Sequence, residues 1–147
     1  DLKRLLATLD VDGVVSGAIS SRYQKKRIDQ ICRELNLKSL TPLWHEPPKK
    51  LLEEIVNLNM YVVIVGVYAY GFDQTWLGRQ INQKTISELV ELNKKYQVSL
   101  VGEGGEYETL VLDSPFFNKK IKLVETEKNW ENQSGYLLVK KAVLVRK

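Results

Sequence analysis

Apolar residues in the first third of the chain follow helical and strand-like spacings in turn. The opening segment is typical of a helix, with leucines on one face at Leu2, Leu5, Leu6 and Leu9. Residues 11–17 are typical of a short buried strand that ends in glycine. Ser20 or Ser21 can cap a helix that we predict to extend to about Leu35, and a short extended segment follows at residues 40–44. A strand, a helix and a strand in this order are typical of a parallel α/β sheet.

The alternation continues after a proline pair. Pro47 and Pro48 predict the start of a helix, because proline is tolerated in a first helical turn. The apolar face of that helix consists of Leu51, Leu52, Ile55 and Leu58. Residues 61–70 are β-branched and aromatic and therefore predict a strand, and residues 71–78 predict a loop.

A further helix is predicted over residues 84–96, with Asn82 as its capping residue. Its inward-facing positions are Ile86, Leu89 and Val90. Residues 98–101 predict a strand that leads into a glycine-rich loop at residues 102–105.

The hydrophobic period changes after Tyr107. Residues 107–112, 121–125 and 136–145 predict strands, and the last of them alternates as a half-buried antiparallel edge strand would. Residues 132–135 predict the turn before it. The sequence therefore predicts an α/β protein in which the last part of a parallel-sheet domain is followed by a smaller mixed domain, with the boundary at residues 44–48.

Composition is ordinary for a folded protein. The chain has 147 residues and 16.9 kDa, with 44% hydrophobic and 27% charged residues, which argues against disorder. Lysine and arginine number 22 and aspartate and glutamate 18, for a net charge of +4. This charge is lower than a dedicated nucleic-acid binder needs, so nucleic acid is not expected as a partner.

Cysteine and histidine usage excludes several kinds of site. Cys32 is the only cysteine, which excludes an intrachain disulfide and a cysteine-based zinc cluster. His45 is the only histidine, which argues against a Ser-His-Asp triad. Cys32 is most simply a core residue, and His45 a surface or packing residue. No segment has the apolar length of a membrane span or the pattern of a signal peptide, so a cytoplasmic protein without a membrane partner is expected.

The first candidate site is the segment 16–27, which follows the first predicted strand and opens a helix. Open α/β sheets bind ligands at this position, and the free N–H groups of a helix start favour phosphate. Gly17 allows close backbone approach, while Arg22 or Arg27 can meet phosphate charge. The alternative is a well-capped helix with a solvated basic face. The chain contains no Walker A sequence.

The second candidate site is the segment 102–109, which contains adjacent glycines and three glutamates, Glu103, Glu106 and Glu108. Clustered carboxylates repel one another unless a cation or a shared proton compensates their charge. A Mg²⁺ ion, an ammonium group or a glutamate acting as general base would do so. The alternative is an exposed hairpin loop whose carboxylates are solvated and have no function.

Three segments together resemble the diphthine–ammonia ligase family, which forms diphthamide and belongs to the N-type ATP pyrophosphatases. They are residues 17–27 (GAISSRYQKKR), 40–44 (LTPLW) and 102–115 (GEGGEYETLVLDSP). The resemblance implies an enzyme that amidates diphthine on translation elongation factor 2, using ATP and ammonia. An acyl-adenylate forms with release of pyrophosphate, and ammonia then displaces AMP. It also implies a Rossmann-like nucleotide-binding domain ending at residue 45 and a mixed α/β substrate-binding domain over residues 46–147.

The resemblance implies roles for particular residues. Those expected to border the nucleotide are Gly17, Ala18, Ile19, Ser21, Tyr23, Gln24 and Arg27. Those expected to be catalytic are Glu103, Glu106 and Glu108, and those expected to contact the substrate or ammonia are Gly104, Gly105, Tyr107 and Thr109. The carboxylates suit ammonium or the trimethylammonium group of diphthine. ATP with Mg²⁺ is the expected cofactor set, with no separate metal site. Whether the protein forms a homo-oligomer stays an open question.

The chain departs from the family at one point. The family's pyrophosphate-binding loop, Ser-Gly-Gly-Lys-Asp-Ser, belongs before the matched region and does not occur in these 147 residues. We therefore expect a fragment that does not form the adenylate by itself. Two alternatives stay open: a related ATP pyrophosphatase that modifies tRNA, and a non-catalytic module that docks on the elongation factor.

Overall fold

The structure, a computed structural model, describes residues 1–147 and divides into two compact units, Asp1–Glu46 and Pro47–Lys147. The first unit contains a two-stranded parallel sheet, and the second contains a four-stranded antiparallel sheet. The predicted α/β class, with part of a parallel-sheet domain followed by a mixed domain, is therefore confirmed. No helix combines the length and the apolar character that crossing a membrane requires.

The first unit is a short strand–helix–strand arrangement preceded by one helical turn. Its elements are α1 (Leu2–Leu6), β1 (Gly13–Val15), α2 (Arg22–Glu34) and β2 (Lys38–Leu40). The two strands run parallel, with Val14 opposite Ser39. Helix α2 connects them, so its N-terminus lies after the carboxyl end of β1, where ligands bind in open α/β sheets.

Local chemistry explains the limits of α2. The Ser21 hydroxyl accepts the N–H of Gln24 at 3.3 Å, which satisfies one of the free donors of the first turn. Asn36, just after the helix, has φ of +56°, a left-handed conformation that asparagine tolerates. Cys32 is fully buried on the inner face, as predicted.

The extended segment predicted at residues 40–44 is wrong in its position. Strand β2 ends at Leu40, and the chain turns at once, with the N–H of Trp44 bonded to the carbonyl of Thr41 at 3.1 Å. Pro42 has no N–H to donate to a ladder, which disfavours continuation of the strand. His45 follows with φ of +64° and stacks edge-on against Trp44.

The second unit packs two helices and a 3₁₀ turn on one face of its sheet. The helical elements are α3 (Pro48–Asn57), the 3₁₀ turn (Gln74–Trp76) and α4 (Gln83–Tyr96). The strands are β3 (Tyr61–Val67), β4 (Tyr107–Asp113), β5 (Lys119–Glu131) and β6 (Ser134–Arg146), in the spatial order β4-β3-β6-β5. Pro48 occupies the first turn of α3 and Asn82 caps α4, as the sequence predicts.

The core of the second unit lies between the helices and β3. It contains Leu52 of α3, Ile64 and Val67 of β3, and Ile86 and Leu89 of α4. Ile64, Ile86 and Leu89 are completely inaccessible to solvent. The helical spacing predicted for α4 is thereby confirmed for these two positions, whereas Val90 is only partly buried.

Strand β3 is shorter than predicted, since it ends at Val67 and Tyr68–Tyr70 leave the sheet. The edge of β3 that does not pair with β4 is covered by two separate segments. The segment 78–81 bonds to Val62 and Ile64 through backbone groups, and β6 pairs only with Gly66 and Val67. A register shift between Ile64 and Gly66 brings Gly66 and Tyr68 to the outer face, away from the helices.

The strand predicted at residues 98–101 is absent. These residues form a turn-rich connection after α4. The apolar side chain of Val98 packs into the core, with only 3% exposure. The side-chain amide of Asn93 donates to the carbonyl of Val98 at 2.9 Å. A short apolar run thus reflects burial here and not strand pairing.

Strands β5 and β6 form a long hairpin that exceeds both predicted strands. Asn132 and Gln133 make its two-residue turn with φ of +49° and +65°. Strand β6 lies between β3 and β5, so the prediction that it is an edge strand is wrong. Its alternating pattern arises because only its first residues contact the core, while the remainder pairs with β5 in an exposed ribbon.

Candidate functional site

A cleft of about 730 Å³ opens at the N-terminal end of α2 in the first unit. Among the residues predicted to border a nucleotide, those lining it are Gly17, Ala18, Tyr23, Gln24 and Arg27. Two others, Ile19 and Ser21, do not line it. Ser21 caps α2, and the carbonyl of Ile19 accepts the N–H of His45 at 2.8 Å. The other lining residues are Asp1, Leu2, Lys3, Ser16, Ile28 and Ile31.

Arg27 is the charged group of this cleft that is best placed for an anion. Its guanidinium lies over the ring of Tyr23, 5.4 Å from the centroid, and donates to the Tyr23 hydroxyl. It forms no ion pair with a carboxylate, whereas Lys3 and Lys25 of the same unit pair with Glu34 and Asp29. A cation held in position without a counter-charge can attract a phosphate.

Asp29 sits beside this cleft in a separate polar network. It accepts from Lys25 at 2.6 Å and from the Ser39 hydroxyl at 2.7 Å, and so connects α2 to β2. The hydrogen bond from Lys25, followed by the one from Ser39, lowers the pKa of Asp29 below its ordinary value of 3.8. The ionised carboxylate therefore favours the folded state.

Because the pKa of Asp29 is lower in the folded than in the unfolded state, its contribution is present above about pH 4 and is lost as the pH falls through the folded value. We expect the free energy of opening of α2, measured by hydrogen exchange and corrected for intrinsic exchange rates, to decrease on acidification. The decrease should be no more than about 1 kcal/mol, since the Lys25–Asp29 pair is partly exposed. Asp29→Asn should abolish this acid-induced decrease. Asp10→Asn, at an exposed carboxylate outside the network, should retain it. An unchanged acid response in Asp29→Asn would contradict this assignment.

The second candidate site is a compact loop over residues 102–106 that Glu106 holds together. One oxygen of its carboxylate accepts the N–H of Ser99 at 3.1 Å, and the other accepts the N–H of Gly104 at 2.9 Å. The Glu106 carbonyl accepts the N–H of Tyr68 at 2.8 Å. This side chain therefore folds back into its own loop and closes it.

Glycine is required at the start of this loop. Gly102 has φ of +66°, and a Cβ atom there would lie 2.6 Å from the carbonyl oxygen of Tyr107. Tyr107 itself is buried, and its hydroxyl donates to the carbonyl of Leu100. Burial, with a smaller effect of Glu106, raises the pKa of Tyr107. Its ring therefore supports the loop from the core side.

The remaining predicted residues of this segment reach the surface to different degrees. Gly104, Gly105, Glu108 and Thr109 are exposed, and Glu103 is partly buried. Glu108 lies opposite Gly66 on the outer face of the sheet and accepts from the Tyr68 hydroxyl at 3.3 Å. The structure thus separates the glutamates by environment: Glu106 is engaged within the loop, whereas Glu108 faces solvent beside a tyrosine.

Sequence reasoning missed two neighbours of Glu108. Tyr68 follows β3, and Tyr136 of β6 lies opposite Gly66 on the other side. Both rings are about half exposed, at 47% and 49%. No local motif signals this grouping, because the residues come from three separate parts of the chain and meet only through sheet pairing.

The fold and its two candidate sites define a two-unit α/β protein with an anion-compatible cleft on one unit and a glutamate-stabilised loop on the other. Residues 1–39 match the sequence model of the diphthamide synthase N-terminal domain, and residues 47–145 match that of the diphthamide synthase C-terminal domain. The chain therefore belongs to the diphthamide synthase family, which confirms the resemblance seen in its motifs.

Curated relatives agree with this assignment. The chain is 41% identical over 146 residues to the diphthine–ammonia ligase of Schizosaccharomyces pombe, covering 97% of this chain and 24% of that protein. It is 42% identical over 127 residues to the diphthine–ammonia ligases of Bos taurus and Homo sapiens, covering 86% of this chain and 47% of each relative. The chain thus spans about a quarter to a half of the length of these relatives.

Proposed function

We propose that this chain is part of an ATP-dependent, AMP-forming ligase that converts diphthine on translation elongation factor 2 to diphthamide with ammonia. The first unit takes part in nucleotide binding and the second in substrate binding. The observation that carries the proposal is the cleft at the start of α2, lined by the residues that the family resemblance assigns to the nucleotide. Relatives named diphthine–ammonia ligase support the same reaction.

The proposed reaction has two steps. A carboxylate oxygen of diphthine attacks the α-phosphorus of ATP, and pyrophosphate leaves with the cleaved phosphoanhydride oxygen. Ammonia then attacks the acyl carbon, AMP leaves with its phosphate oxygen, and the nitrogen loses a proton. Negative charge develops on the α-phosphate in the first step, so a positioned cation near it lowers the barrier.

Arg27 is our candidate for that cation in this chain. Its guanidinium is fixed on the Tyr23 ring and has no carboxylate partner. The backbone around Gly17 lets a phosphate approach closely, since a Cβ there would meet no atom within 4 Å. No group of three or more His, Cys, Asp or Glu side chains is arranged to hold a metal. In this proposal Mg²⁺ arrives bound to the ATP phosphates.

The glutamate loop is proposed to present the substrate-binding surface of the second unit. Glu106 supports it by holding the amides of Ser99 and Gly104. Glu108 and Thr109 are exposed on the adjoining strand, where a substrate can reach them. Glu103 keeps its assignment as a candidate catalytic residue.

Substitution of Arg27 tests the proposed function. In the full-length natural protein, Arg27→Ala should lower kcat/KM for ATP about 10- to 100-fold, because a hydrogen bond to a charged group contributes about 1.5–3 kcal/mol. Lys26→Ala, at a neighbouring exposed position of the same helix outside the cleft, should change it less than about twofold. The assay measures the AMP release that depends on both the diphthine-bearing elongation factor and ammonium.

Two results would overturn the proposal. If the wild-type protein releases no AMP with diphthine-bearing elongation factor, ATP and ammonium, it is not this ligase. Binding of the factor without nucleotide turnover would instead favour a docking module. If Arg27→Ala and Lys26→Ala have equal effects on kcat/KM for ATP, the cleft is not the nucleotide site.

A further inference from the structure

The outer face of the second unit's sheet carries an aromatic and acidic cluster centred on Gly66. Gly66 pairs with Glu108 of β4 on one side and with Tyr136 of β6 on the other, so all three positions face the same way. Tyr68, beyond the end of β3, adds its ring to this face. We call Tyr68, Glu108 and Tyr136 the outer-face cluster.

The absence of a side chain at Gly66 makes the cluster compact. A Cβ atom at this position would lie 2.5 Å from the hydroxyl oxygen of Tyr68 and 2.9 Å from its ring carbon Cζ. The Tyr68 ring therefore lies directly over the Gly66 backbone. This leaves its hydroxyl between the neighbouring strands, where it donates to Glu108 at 3.3 Å.

The cluster holds a negative charge without a positive partner. Glu108 accepts from Tyr68 and forms no ion pair, although most other carboxylates on α3, α4 and the β5–β6 hairpin lie near lysines. Burial, followed by the charge of Glu108 and a smaller contribution of Tyr136, raises the pKa of Tyr68. The Tyr68 phenol thus stays neutral at physiological pH, and the rings of Tyr68 and Tyr136 are both about half exposed.

Two half-exposed phenol rings beside an uncompensated carboxylate suit one kind of cation best. A quaternary ammonium group cannot donate hydrogen bonds, so it is bound through ring faces and through charge. Ammonium and lysine are strongly hydrated and donate hydrogen bonds, so they depend on acceptors such as Glu108 and the phenol oxygens more than on the ring faces. The rings also offer apolar contact to methyl groups.

We propose that the outer-face cluster binds a quaternary ammonium group, with Tyr68 and Tyr136 contacting its methyl groups and Glu108 balancing its charge. This inference rests on the proposed function and deepens it, since diphthine carries a trimethylammonium group. It assigns specificity to two tyrosines outside the 102–109 segment. It also gives Glu108 a substrate-binding role, separate from the loop-supporting role of Glu106.

Binding of tetramethylammonium tests the proposal without any need for turnover. In the full-length protein, titration followed by NMR shifts of these residues should show saturable binding, at least threefold tighter than that of 3,3-dimethyl-1-butanol, an uncharged compound with a tert-butyl group. Tyr68→Leu or Tyr136→Leu should each weaken it about three- to fivefold, and Glu108→Gln by a similar factor. Tyr61→Leu, at another exposed tyrosine of β3, should leave it unchanged.

A second measurement connects the cluster to the substrate. KM for the diphthine-bearing factor should rise about tenfold in the Tyr68→Leu, Tyr136→Leu double variant, while KM for ATP stays unchanged. Equal affinity for tetramethylammonium and 3,3-dimethyl-1-butanol, or equal effects of the Tyr61 and Tyr136 variants, would overturn the inference. If the wild-type protein binds tetramethylammonium at the cluster but releases no AMP, only the proposed function is overturned.

Discussion

Replacing Glu106 by alanine is expected to loosen the 102–106 loop and to lower amide formation about 10- to 100-fold in the full-length protein. The carboxylate accepts the N–H groups of Ser99 and Gly104, and its removal leaves both donors without that partner. A lost hydrogen bond to a charged group costs about 1.5–3 kcal/mol, of which water recovers a part at the exposed Gly104. The loop would then populate conformations in which the neighbouring glutamates are displaced.

Two matched variants make this prediction specific. Glu106→Gln keeps one carbonyl acceptor but presents an NH₂ group to the second amide, so it should give an intermediate loss. Glu108→Gln alters a glutamate that contacts Tyr68 and not the loop, so hydrogen exchange at Ser99 should stay protected. Normal amide formation by Glu106→Ala would show that this loop has no part in the reaction.

Substitution of Ile64 by alanine is expected to destabilise the second unit by about 2–5 kcal/mol. Ile64 is inaccessible to solvent in the middle of β3 and belongs to the core formed with α3 and α4. The change removes buried apolar volume from a strand that is hydrogen-bonded to β4 and to the 78–81 segment. It would therefore remove a large part of a typical domain stability of about 5–15 kcal/mol.

Denaturant unfolding of the 147-residue chain, followed by far-UV circular dichroism, measures this effect. Leu144→Ala is the matched control, because Leu144 is 66% exposed on the β5–β6 ribbon and its truncation should cost less than about 1 kcal/mol. If Ile64→Ala and Leu144→Ala shift the transition equally, the core does not lie where the structure places it.

The helices were the most predictable elements, because their signals are local. Ser21 and Asn82 each lie at the position where a side-chain oxygen can accept from the first turn, and both do so. Strand limits were less predictable. The 98–101 run has strand composition but packs into the core, while β5 extends far beyond its apolar stretch because β6 pairs with it along its length. Pairing partners distant in sequence decide strand length.

The candidate sites, like the secondary-structure elements, were predictable only where their residues are close together in the sequence. The cleft on the first unit could be predicted, since Gly17, Tyr23 and Arg27 lie in one continuous segment between a strand and a helix. The 102–109 segment was also visible, but not the division of its glutamates: Glu106 turns into the loop and Glu108 faces outward. That division depends on strand register, which a sequence does not display.

The sequence by itself determined the α/β class, the helix starts and the two segments that carry the family resemblance, because these depend on spacing and composition over a few consecutive residues. Tertiary structure alone decided that β6 is interior and that Tyr68 and Tyr136 flank Glu108. The interior position of β6 results from its pairing with both β3 and β5. The grouping around Glu108 results from the register shift between Ile64 and Gly66, which reverses the face to which the end of β3 points. One extra residue in β3 turns Gly66 and Tyr68 to the outer face, where Tyr68 lies between Glu108 of β4 and Tyr136 of β6.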